Sequence, residues 1–338
     1  MPEGHSVHRI ARQFARYFVG QSIQVSSPQG RFAEGAAILD GRTMTESRAV
    51  GKHMFLEFDG GLWLRVHLGI YGAWDFAGDV SHDATQRAAR GRMGQKNQRG
   101  STDFDQPDAR GSVVGAHEDS LASIGAPRRT RLRMAETETR SEIAEAKLAG
   151  FPAEPIGQVR VRLLTQRAVA DLRGPTACEV LDAEGVQRVL DALGPDPLVD
   201  DAAAGEERML ARVRGRRVPI GLLLMDQSVV SGIGNVYRAE MLFRARLEPH
   251  TTGASMPDDV IRDLWRDWRY LLGVGVETGQ MLTMDGLDDE AQRAALRNRV
   301  DRHWVYKREG LPCRICRTHI VLELAAGRKL YWCPSCQQ

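Results

Sequence analysis

The chain lacks any long uninterrupted apolar run. Hydrophobic residues make up 42% of its 338 residues, but no stretch approaches the roughly 18 apolar residues of a membrane span. This excludes a protein built of membrane-spanning helices and predicts a soluble chain with no membrane partner. The N-terminal segment is also wrong for an export signal, because residues 10–19 are interrupted by Arg12, Gln13 and Arg16. A cytoplasmic location is therefore expected.

The chain also lacks a marked charge imbalance. Its 46 Lys and Arg residues nearly balance 44 Asp and Glu residues, which leaves a net charge of +2. Overall charge therefore gives no argument for a nucleic-acid partner, and any basic surface must be local.

Cysteine is scarce outside one group near the end of the chain. Cys313, Cys316, Cys333 and Cys336 form two Cys-x2-Cys pairs separated by sixteen residues. Two close pairs supply the four thiolates of a tetrahedral structural zinc site, and the intervening segment has the length of a β-hairpin. Two disulfides are the alternative, which the absence of an export signal disfavours. We expect one structural Zn²⁺ ion, while Cys178 is expected to be an ordinary buried thiol.

The N-terminus carries a group with chemical potential. If Met1 is removed, Pro2 presents a secondary α-amine, whose reference pKa near 8 leaves an appreciable neutral, nucleophilic fraction at neutral pH. Attack by such an amine on an aldehyde-level carbon gives an iminium, which can act as an electron sink. Glu3 stands where a general acid or base is needed. The alternative is an unremarkable chain end, since proline is a common second residue.

The first half of the chain predicts an antiparallel sheet or sandwich preceded by a helix. Helical spacing of Val7, Ile10, Phe14 and Phe18 predicts a helix over residues 6–18. Short strands separated by glycine-rich turns are predicted at 22–25, 48–50, 54–58, 62–67, 158–164 and 168–172.

A long polar segment interrupts this domain. Residues 78–150 are rich in Arg, Gln, Gly, Ser and Asp, and they predict a disordered insertion. Within it, the basic run at 128–133 is either an auxiliary nucleic-acid contact or, as the composition favours, a solvated charge run.

The second half is predicted to be helical up to the cysteine module. Residues 193–198 form a proline-rich linker that marks a domain boundary. Helices are predicted around 206–213, 219–225, 235–243 and 258–276. The predicted domains are an N-terminal domain at 1–193, a helical domain at 194–298 and a zinc module at 299–338.

Two features of the second half are compatible with nucleic-acid binding. Two predicted helices meet at a glycine turn, where the backbone N–H groups that begin the second helix could bind a phosphate and Asn235 could add a side-chain donor. A structural helical hairpin explains the same pattern equally well. The tip of the zinc hairpin is basic and aromatic, so Arg328 could contact phosphates, although a ribbon with solvated cations is the alternative.

Two turns of the first half carry further candidates. Lys52 follows Gly51 at the entry to an apolar strand and is either an exposed turn lysine or a phosphate contact and proton shuttle beside the amine. Ile70 and Tyr71 lie in a turn flanked by glycines. They either cover the core or fill the gap that a base leaves in a duplex.

Four separated motifs give the chain a family resemblance. They are Met1-Pro2-Glu3-Gly4, the Gly51-Lys52 turn, the segment 232–237 with Glu240, and the terminal ribbon at 328–337. In these motifs the chain resembles the formamidopyrimidine-DNA glycosylase and endonuclease VIII family. The resemblance covers nearly the whole chain except 78–150, an insertion that the family pattern does not predict. Tyr71 is closer to the endonuclease VIII branch.

The resemblance implies an α+β fold: an N-terminal antiparallel β-sandwich with flanking helices, a helix–two-turn–helix DNA-binding domain and a zinc-ribbon β-hairpin. It implies that Pro2 is the Schiff-base nucleophile, that Glu3 is the acid that opens the sugar and that Lys52 assists β-elimination. It further implies that Arg328 contacts a phosphate and promotes δ-elimination, and that Asn235 contacts a phosphate. Ile70, with Tyr71 beside it, would fill the void left by the extruded base. Arg173 would contact the unpaired base, and Glu240 would be a supporting acid in the DNA-binding set.

Together these features predict a monomeric bifunctional DNA glycosylase and AP lyase of base excision repair. Its predicted partner is damaged double-stranded DNA, from which it removes oxidised bases, with pyrimidines favoured, by β,δ-elimination. A catalytically silent zinc-finger DNA-binding protein is the alternative, and a zinc-ribbon scaffold for protein partners is a third. DNA binding alone does not require Pro2, Glu3, Lys52 and Arg328, and a scaffold does not explain the N-terminus.

Overall fold

The computed structural model describes residues 2–80, 123–125, 151–152 and 154–338. These residues form two compact units. The first unit holds residue 2, residues 6–80 and 123–125, and the described residues from 151 to 191. The second holds residues 3–5 and 192–338. None of the helices described is both long and apolar enough to cross a membrane.

The first unit contains two antiparallel sheets. The five-stranded sheet has the order β1-β7-β8-β5-β6 and the four-stranded sheet has the order β2-β3-β4-β9. The strands are β1 Gln24–Ser26, β2 Met44–Val50, β3 His53–Phe58, β4 Leu62–His67, β5 Ala73–Gly78, β6 Ser123–Gly125, β7 Val159–Leu164, β8 Ala168–Arg173 and β9 Ala177–Leu181. The helices associated with this unit are α1 Gly4–Tyr17, α2 Ala33–Leu39 and α3 Ala183–Asp191.

One hydrophobic core joins α1 to both sheets. Phe14 of α1 is fully buried, and its ring lies 4.8 Å from that of Trp74 and 5.2 Å from that of Phe76, both on β5. Leu56 and Leu64 of the four-stranded sheet belong to the same core. The 3.6-residue spacing of apolar residues on α1 thus places one face of the helix in the core.

The second unit is helical and ends in a β-hairpin. Its helices are α4 Ala202–Val213, α5 Ile220–Leu223, α6 Asn235–Arg244, α7 Asp258–Thr278 and α8 Asp289–Arg297. Its strands are β10 Val321–Ala325 and β11 Arg328–Trp332. Asp201 caps α4 by accepting hydrogen bonds from the backbone N–H groups of Ala203 and Ala204. Helix α7 ends at Gly279, whose φ of 70° is the left-handed conformation that glycine favours at this position.

Most predicted elements are confirmed with shifted ends. The helix predicted at 6–18 spans Gly4–Tyr17, and the strand predicted at 48–50 extends over Met44–Val50. The helix predicted at 219–225 is only one turn, Ile220–Leu223. The sequence reasoning did not name the elements α2, β5, β9 and α8.

The predicted disordered insertion needs one correction. Within 78–150, Ser123–Gly125 forms β6, which pairs with β5. Backbone hydrogen bonds to β5 therefore give these three residues a regular structure. Residues 78–80 are also described, and Gly78 ends β5. The remainder, including the basic run 128–133, lies outside the described residues. The predicted domain boundaries after 193 and 298 stay predictions.

Candidate active site and metal centre

The carboxylate of Glu3 lies at the N-terminus of α6. It is fully buried and accepts backbone N–H groups from Gly234 at 2.9 Å, Val236 at 2.9 Å and Tyr237 at 3.4 Å. Unpaired N–H groups and the helix dipole make a helix N-terminus favourable for a negative charge. From the sequence, the backbone N–H groups at the start of α6 were predicted to bind a DNA phosphate. The structure corrects this, because the chain's own carboxylate takes up three of them.

Glycines allow this close approach. A Cβ atom at Gly234 would lie 2.3 Å from Cδ of Glu3, so no larger residue fits beside the carboxylate as it stands. The backbone N–H of Gly4 donates to the carbonyl of Gly232 at 2.9 Å. The hydrogen bonds of Glu3 with Gly234 and of Gly4 with Gly232 fix the N-terminal segment beside the turn that precedes α6. Pro2 is buried and precedes Glu3. Hydrogen bonds hold both the carboxylate of Glu3 and the backbone of Gly4, the next residue.

Lys52 lies in the hairpin turn between β2 and β3 within a basic cluster. It is half-buried and follows Gly51, whose φ is 59°. Burial, followed by the nearby charges of His67, Arg65 and Lys52, lowers the pKa of His53 to about 3. Burial and the same lysine and arginine also lower the pKa of His67.

The hydrogen bonds of this cluster fix the tautomer of His53. Arg65 pairs with Glu179 and donates through Nε to Nδ1 of His53 at 3.2 Å. The neutral imidazole of His53 therefore carries its proton on Nε2. Sequence reasoning did not identify His53, His67 or Arg65. The only local signal was the succession of basic and imidazole side chains on paired strands.

Ile70 and Tyr71 are exposed in the turn between β4 and β5. Ile70 is 55% and Tyr71 is 40% accessible. The N–H of Gly72 donates to the carbonyl of Leu68 at 2.9 Å, and Gly69 has a φ of 64°, so the turn itself is well defined. Two large apolar side chains are thus presented to solvent on a closed turn, and their role as a wedge in a duplex stays a prediction.

Arg173 is mostly buried and pairs with an acidic side chain. It ends β8, is 8% exposed and forms an ion pair with Asp75 at 3.1 Å. Beside it, Arg162 and Asp171 form a second buried pair at 2.7 Å. In this arrangement Nε of Arg173 faces Asp75 inside the first unit, and the implied contact of the guanidinium to a base stays a prediction.

Asn235 and Arg238 connect α6 to the strand that carries Arg328. The side-chain amide of Asn235 donates to the carbonyl of Lys329 at 2.8 Å. Arg238, fully buried, donates to the same carbonyl at 3.0 Å and to Oδ1 of Asn235 at 2.6 Å. Burial and the charge of Arg328 lower the pKa of Arg238 to about 10, so it remains protonated at neutral pH. Sequence reasoning missed Arg238, which gives no local signal.

Glu240 is an interior residue of the second unit. Its buried carboxylate accepts the backbone N–H groups of Trp304, Val305 and Tyr306 and the hydroxyl of Thr283. Although Glu240 was predicted in the DNA-binding set, its contribution to DNA binding can only be indirect. It holds the segment that leads into the zinc module against α6.

Arg328 begins β11 at the tip of the terminal hairpin and is exposed. The turn that precedes it consists of Ala326 and Gly327, with φ values of 48° and 74°. Two successive positive φ values are typical of the two-residue turn that matches strand twist. Asn235 and Arg238 hold the next residue, so the backbone that carries Arg328 is fixed although its side chain is free to reach solvent.

The four cysteines at the base of the hairpin converge. Their Sγ atoms all lie within 4.8 Å of one another. The hydroxyl and the N–H of Thr318 lower the pKa of Cys316 to about 6. Tetrahedral Zn²⁺ with sulfur ligands at about 2.3 Å requires sulfur atoms roughly 3.8 Å apart, which the Cys313 to Cys336 separation of 3.9 Å matches. The donor set therefore fits one structural zinc ion, and the exposed His319 stands outside it.

The predicted site residues divide between the two units. Pro2, Lys52, Ile70, Tyr71 and Arg173 belong to the first unit. The second unit brings Glu3, Asn235, Arg238 and the strand of Arg328 together around the beginning of α6.

Three family models match the chain. The formamidopyrimidine-DNA glycosylase N-terminal domain matches residues 1–109, the formamidopyrimidine-DNA glycosylase H2TH domain matches 193–285, and a zinc finger found in FPG and IleRS matches 310–338. The three matches follow one another in the order that the four sequence motifs predicted.

Curated relatives agree with the models. "Endonuclease 8 1" of Mycobacterium tuberculosis and that of Mycobacterium bovis are each 35% identical over 337 residues, which covers 100% of both chains. These alignments run through residues 78–150, so these relatives also carry sequence at the place where the family pattern predicts no insertion. A "Formamidopyrimidine-DNA glycosylase" of Prochlorococcus marinus is 36% identical over 44% of this chain and 50% of its own.

Solved structures show the same fold. The Fpg protein of Lactococcus lactis, bound to DNA that contains N7-benzyl-Fapy-dG, aligns over 100% of both chains with a TM-score of 0.66 and 18% identity. MutM (Fpg) of Thermus thermophilus aligns over 99% of this chain and 98% of its own, with a TM-score of 0.61 and 24% identity. The α+β fold with antiparallel sheets, helix–two-turn–helix domain and zinc-finger hairpin is thus confirmed. The chain belongs to the formamidopyrimidine-DNA glycosylase and endonuclease VIII family of base-excision-repair DNA glycosylases.

Proposed function

We propose that this chain is a bifunctional DNA glycosylase and AP lyase in which the amine of Pro2, after removal of Met1, is the nucleophile. The observation that carries the proposal is the buried carboxylate of Glu3, which three backbone N–H groups hold at the start of α6. A carboxylate fixed this firmly, directly after a proline that becomes the N-terminus, serves proton transfer at that amine. Neither DNA binding nor zinc binding requires it.

The proposed reaction begins with transfer of the sugar from the base to Pro2. The bond between the Pro2 nitrogen and C1′ forms as the glycosidic bond breaks, and the base leaves with the bonding electron pair. Three N–H donors and the helix dipole favour the ionised carboxylate of Glu3 in the resting protein. Glu3 therefore accepts the amine proton and returns it to O4′ as the sugar ring opens, which leaves an iminium at C1′.

Strand cleavage follows from the iminium. The cation withdraws electrons from C2′, so the C2′ proton is lost and the 3′ phosphate leaves with the bonding electrons. Lys52, with histidines beside it that remain neutral at physiological pH, is the proposed aid to this proton transfer. Loss of the 5′ phosphate in a second elimination is assigned to Arg328, and water then hydrolyses the iminium to release Pro2.

Substrate binding is assigned to duplex DNA that carries a damaged base. Arg328 supplies a phosphate contact, and the second amide hydrogen of Asn235 another, while Ile70 and Tyr71 fill the space left by the extruded nucleotide. Oxidised pyrimidines are the proposed base class. The full-length curated relatives named endonuclease 8 support this choice, as does Tyr71 in the exposed turn.

Borohydride trapping tests the proposal. Wild-type protein is incubated with duplexes that contain an abasic site or an oxidised pyrimidine, and reduction of the iminium is expected to give a covalent complex. Pro2→Ala replaces the secondary amine by a primary one, which still forms an imine but is less nucleophilic, so trapping should be much slower while affinity for a stable abasic analogue is kept. Mass spectrometry of the mature protein should show that Met1 is absent. Wild-type binding without trapping would instead support the alternative of a catalytically silent DNA-binding protein.

The base preference needs a separate comparison. Cleavage rates at oxidised pyrimidines, formamidopyrimidines and 8-oxoguanine in otherwise identical duplexes measure it directly. Faster cleavage at either purine lesion would refute the pyrimidine preference and leave the imine mechanism intact.

A further inference from the structure

Lys307 adopts a backbone conformation that lysine rarely adopts. Its φ is 57°, in the left-handed region, where a Cβ atom crowds the following carbonyl oxygen. Glycine avoids this contact, and asparagine and aspartate offset it by local hydrogen bonds, whereas lysine has no such compensation. Strained residues of this kind persist where the surrounding structure holds them, and they concentrate at functional sites. A lysine at this position therefore needs a reason other than backbone geometry.

The surrounding structure holds Lys307 on both sides of its backbone. The residue immediately before it, Tyr306, donates its N–H to Glu240 at 2.8 Å, as the last of three consecutive backbone donors to that carboxylate. The ammonium of Lys307 lies 5.9 Å from the centre of the Tyr306 ring, within cation–π range. Lys307 is half-buried, so part of its side chain packs against the protein while part remains accessible to a ligand.

That region adjoins the strand of Arg328. The ring of Tyr306 lies 5.1 Å from that of Tyr331 on β11, in an edge-to-face arrangement. Tyr306 is also close enough to Arg238 to affect its pKa, and Arg238 binds the backbone beside Arg328. Lys307 thus belongs to the same part of the second unit as the proposed phosphate contact.

We propose that Lys307 is a further DNA-binding residue, which contacts a backbone phosphate near the one bound by Arg328. The inference rests on the proposed function, since it takes duplex DNA as the ligand. A cation set against an aromatic ring on a fixed backbone loses less conformational entropy when it binds an anion than a fully mobile lysine does. A phosphate contact contributes affinity without sequence preference and makes the affinity depend on salt.

The chain offers a matched control in Arg246. It also has a left-handed φ, 56°, and its guanidinium lies 5.0 Å over the ring of Phe243. It follows the C-terminal end of α6, whereas Asn235 begins that helix. Arg246→Gly therefore removes the same charge and relieves the same strain as Lys307→Gly, but away from the proposed contact.

The experiment measures affinity for a duplex with a tetrahydrofuran abasic analogue between 50 and 200 mM salt. Lys307→Gly should lower the slope of log affinity against log salt by about 1, so its deficit is about threefold greater at 50 than at 200 mM salt. Lys307→Arg should keep the wild-type slope. The thermal midpoint of Lys307→Gly should equal or exceed that of wild type, because glycine relieves the strain. Lys307→Asn, which tolerates this φ, should repeat the loss of affinity.

Two results would overturn the inference. One is wild-type affinity and salt slope in Lys307→Gly and Lys307→Asn. The other is an equal loss in Arg246→Gly, which would show a general effect of net charge. Failure of the wild-type protein to bind the duplex would instead refute the proposed function, so the two failures are distinguishable.

Discussion

Replacement of Glu240 by glutamine should release the segment that leads into the zinc module. The carboxylate has four donors: Oε1 accepts the N–H groups of Val305 and Tyr306, while Oε2 accepts the N–H of Trp304 and the hydroxyl of Thr283. The single oxygen of a glutamine amide can still accept two of these four hydrogen bonds. The amide NH2 group must then face the other two donors, to which it cannot act as an acceptor.

The expected cost can be estimated from these contacts. The hydroxyl of Thr283 can rotate and accept from the new amide, but the N–H of Trp304 loses its acceptor, which costs about 1–3 kcal/mol for a buried group. The remaining bonds change from charge-assisted to neutral and lose roughly 1 kcal/mol each. Burial disfavours the ionised carboxylate and raises the pKa of Glu240, so removal of the charge offsets part of this loss. The losses total about 4 kcal/mol, and an offset of about half of them gives an expected net local cost of about 2 kcal/mol.

Hydrogen exchange measures this cost where it arises. At about 1.4 kcal/mol per factor of ten, 2 kcal/mol corresponds to roughly 30-fold faster exchange of the amides of 304–306. Thr283→Val is the graded control, because it removes one hydroxyl and keeps the carboxylate for its three N–H donors. It should cost about 1 kcal/mol, or roughly fivefold. Unchanged exchange in Glu240→Gln, or a larger effect in Thr283→Val, would refute the reasoning.

Three further predictions follow from the site. Gly234→Ala should slow borohydride trapping about 100-fold with DNA affinity retained, because a Cβ atom 2.3 Å from Glu3 displaces its carboxylate; Gly273→Ala, with open space around its Cβ, should trap at the wild-type rate. The imidazole of His53, with a pKa of about 3, should remain neutral at pH 5 by NMR titration. In the unfolded chain the imidazole of His53 has a pKa near 6.5 and binds a proton below that pH, whereas the folded protein excludes the proton. The free energy of unfolding should therefore decrease below pH 6.5, by about 2 kcal/mol at pH 5. Denaturant unfolding measures this decrease, and His53→Gln should remove it. Chelation of the metal, followed by metal analysis, should release one Zn²⁺ per chain and abolish DNA binding, whereas a metal-free protein with full affinity would contradict a structural role.

The features that the sequence predicted well are those with a local signal. The spacing of the cysteine pairs fixes a tetrahedral donor set, and the apolar period of α1 fixes its buried face. Two of the missed elements have weak periods: all five residues of β9 are half-buried, so no alternation marks that strand, and α2 is only seven residues long with a glycine inside it. The local period of a sequence reports one buried face, and these segments have none that is clear.

The contacts that define the candidate site have no local signal. Glu3 binds backbone groups more than 230 residues away, and Glu240 binds the segment 64 to 66 residues further along. The carboxylates of Glu3 and Glu240 accept hydrogen bonds from backbone N–H groups, which every residue except proline carries. No side-chain pattern could therefore identify the partners. Only the glycines, at 4 and 234, were visible in the sequence, without the reason for them.

The start of α6 shows how the fold decides between two uses of one helix N-terminus. Its N–H groups suit any anion, so a DNA phosphate and a carboxylate compete for them. Glu3 is part of the same chain and is held by its neighbour Gly4, so its effective concentration far exceeds that of any phosphate arriving from solution. A phosphate would also have to displace a carboxylate that already has three donors. The helix terminus therefore holds the residue beside the proposed nucleophile, and the proposed phosphate contacts are left to other side chains, Arg328 and Lys307.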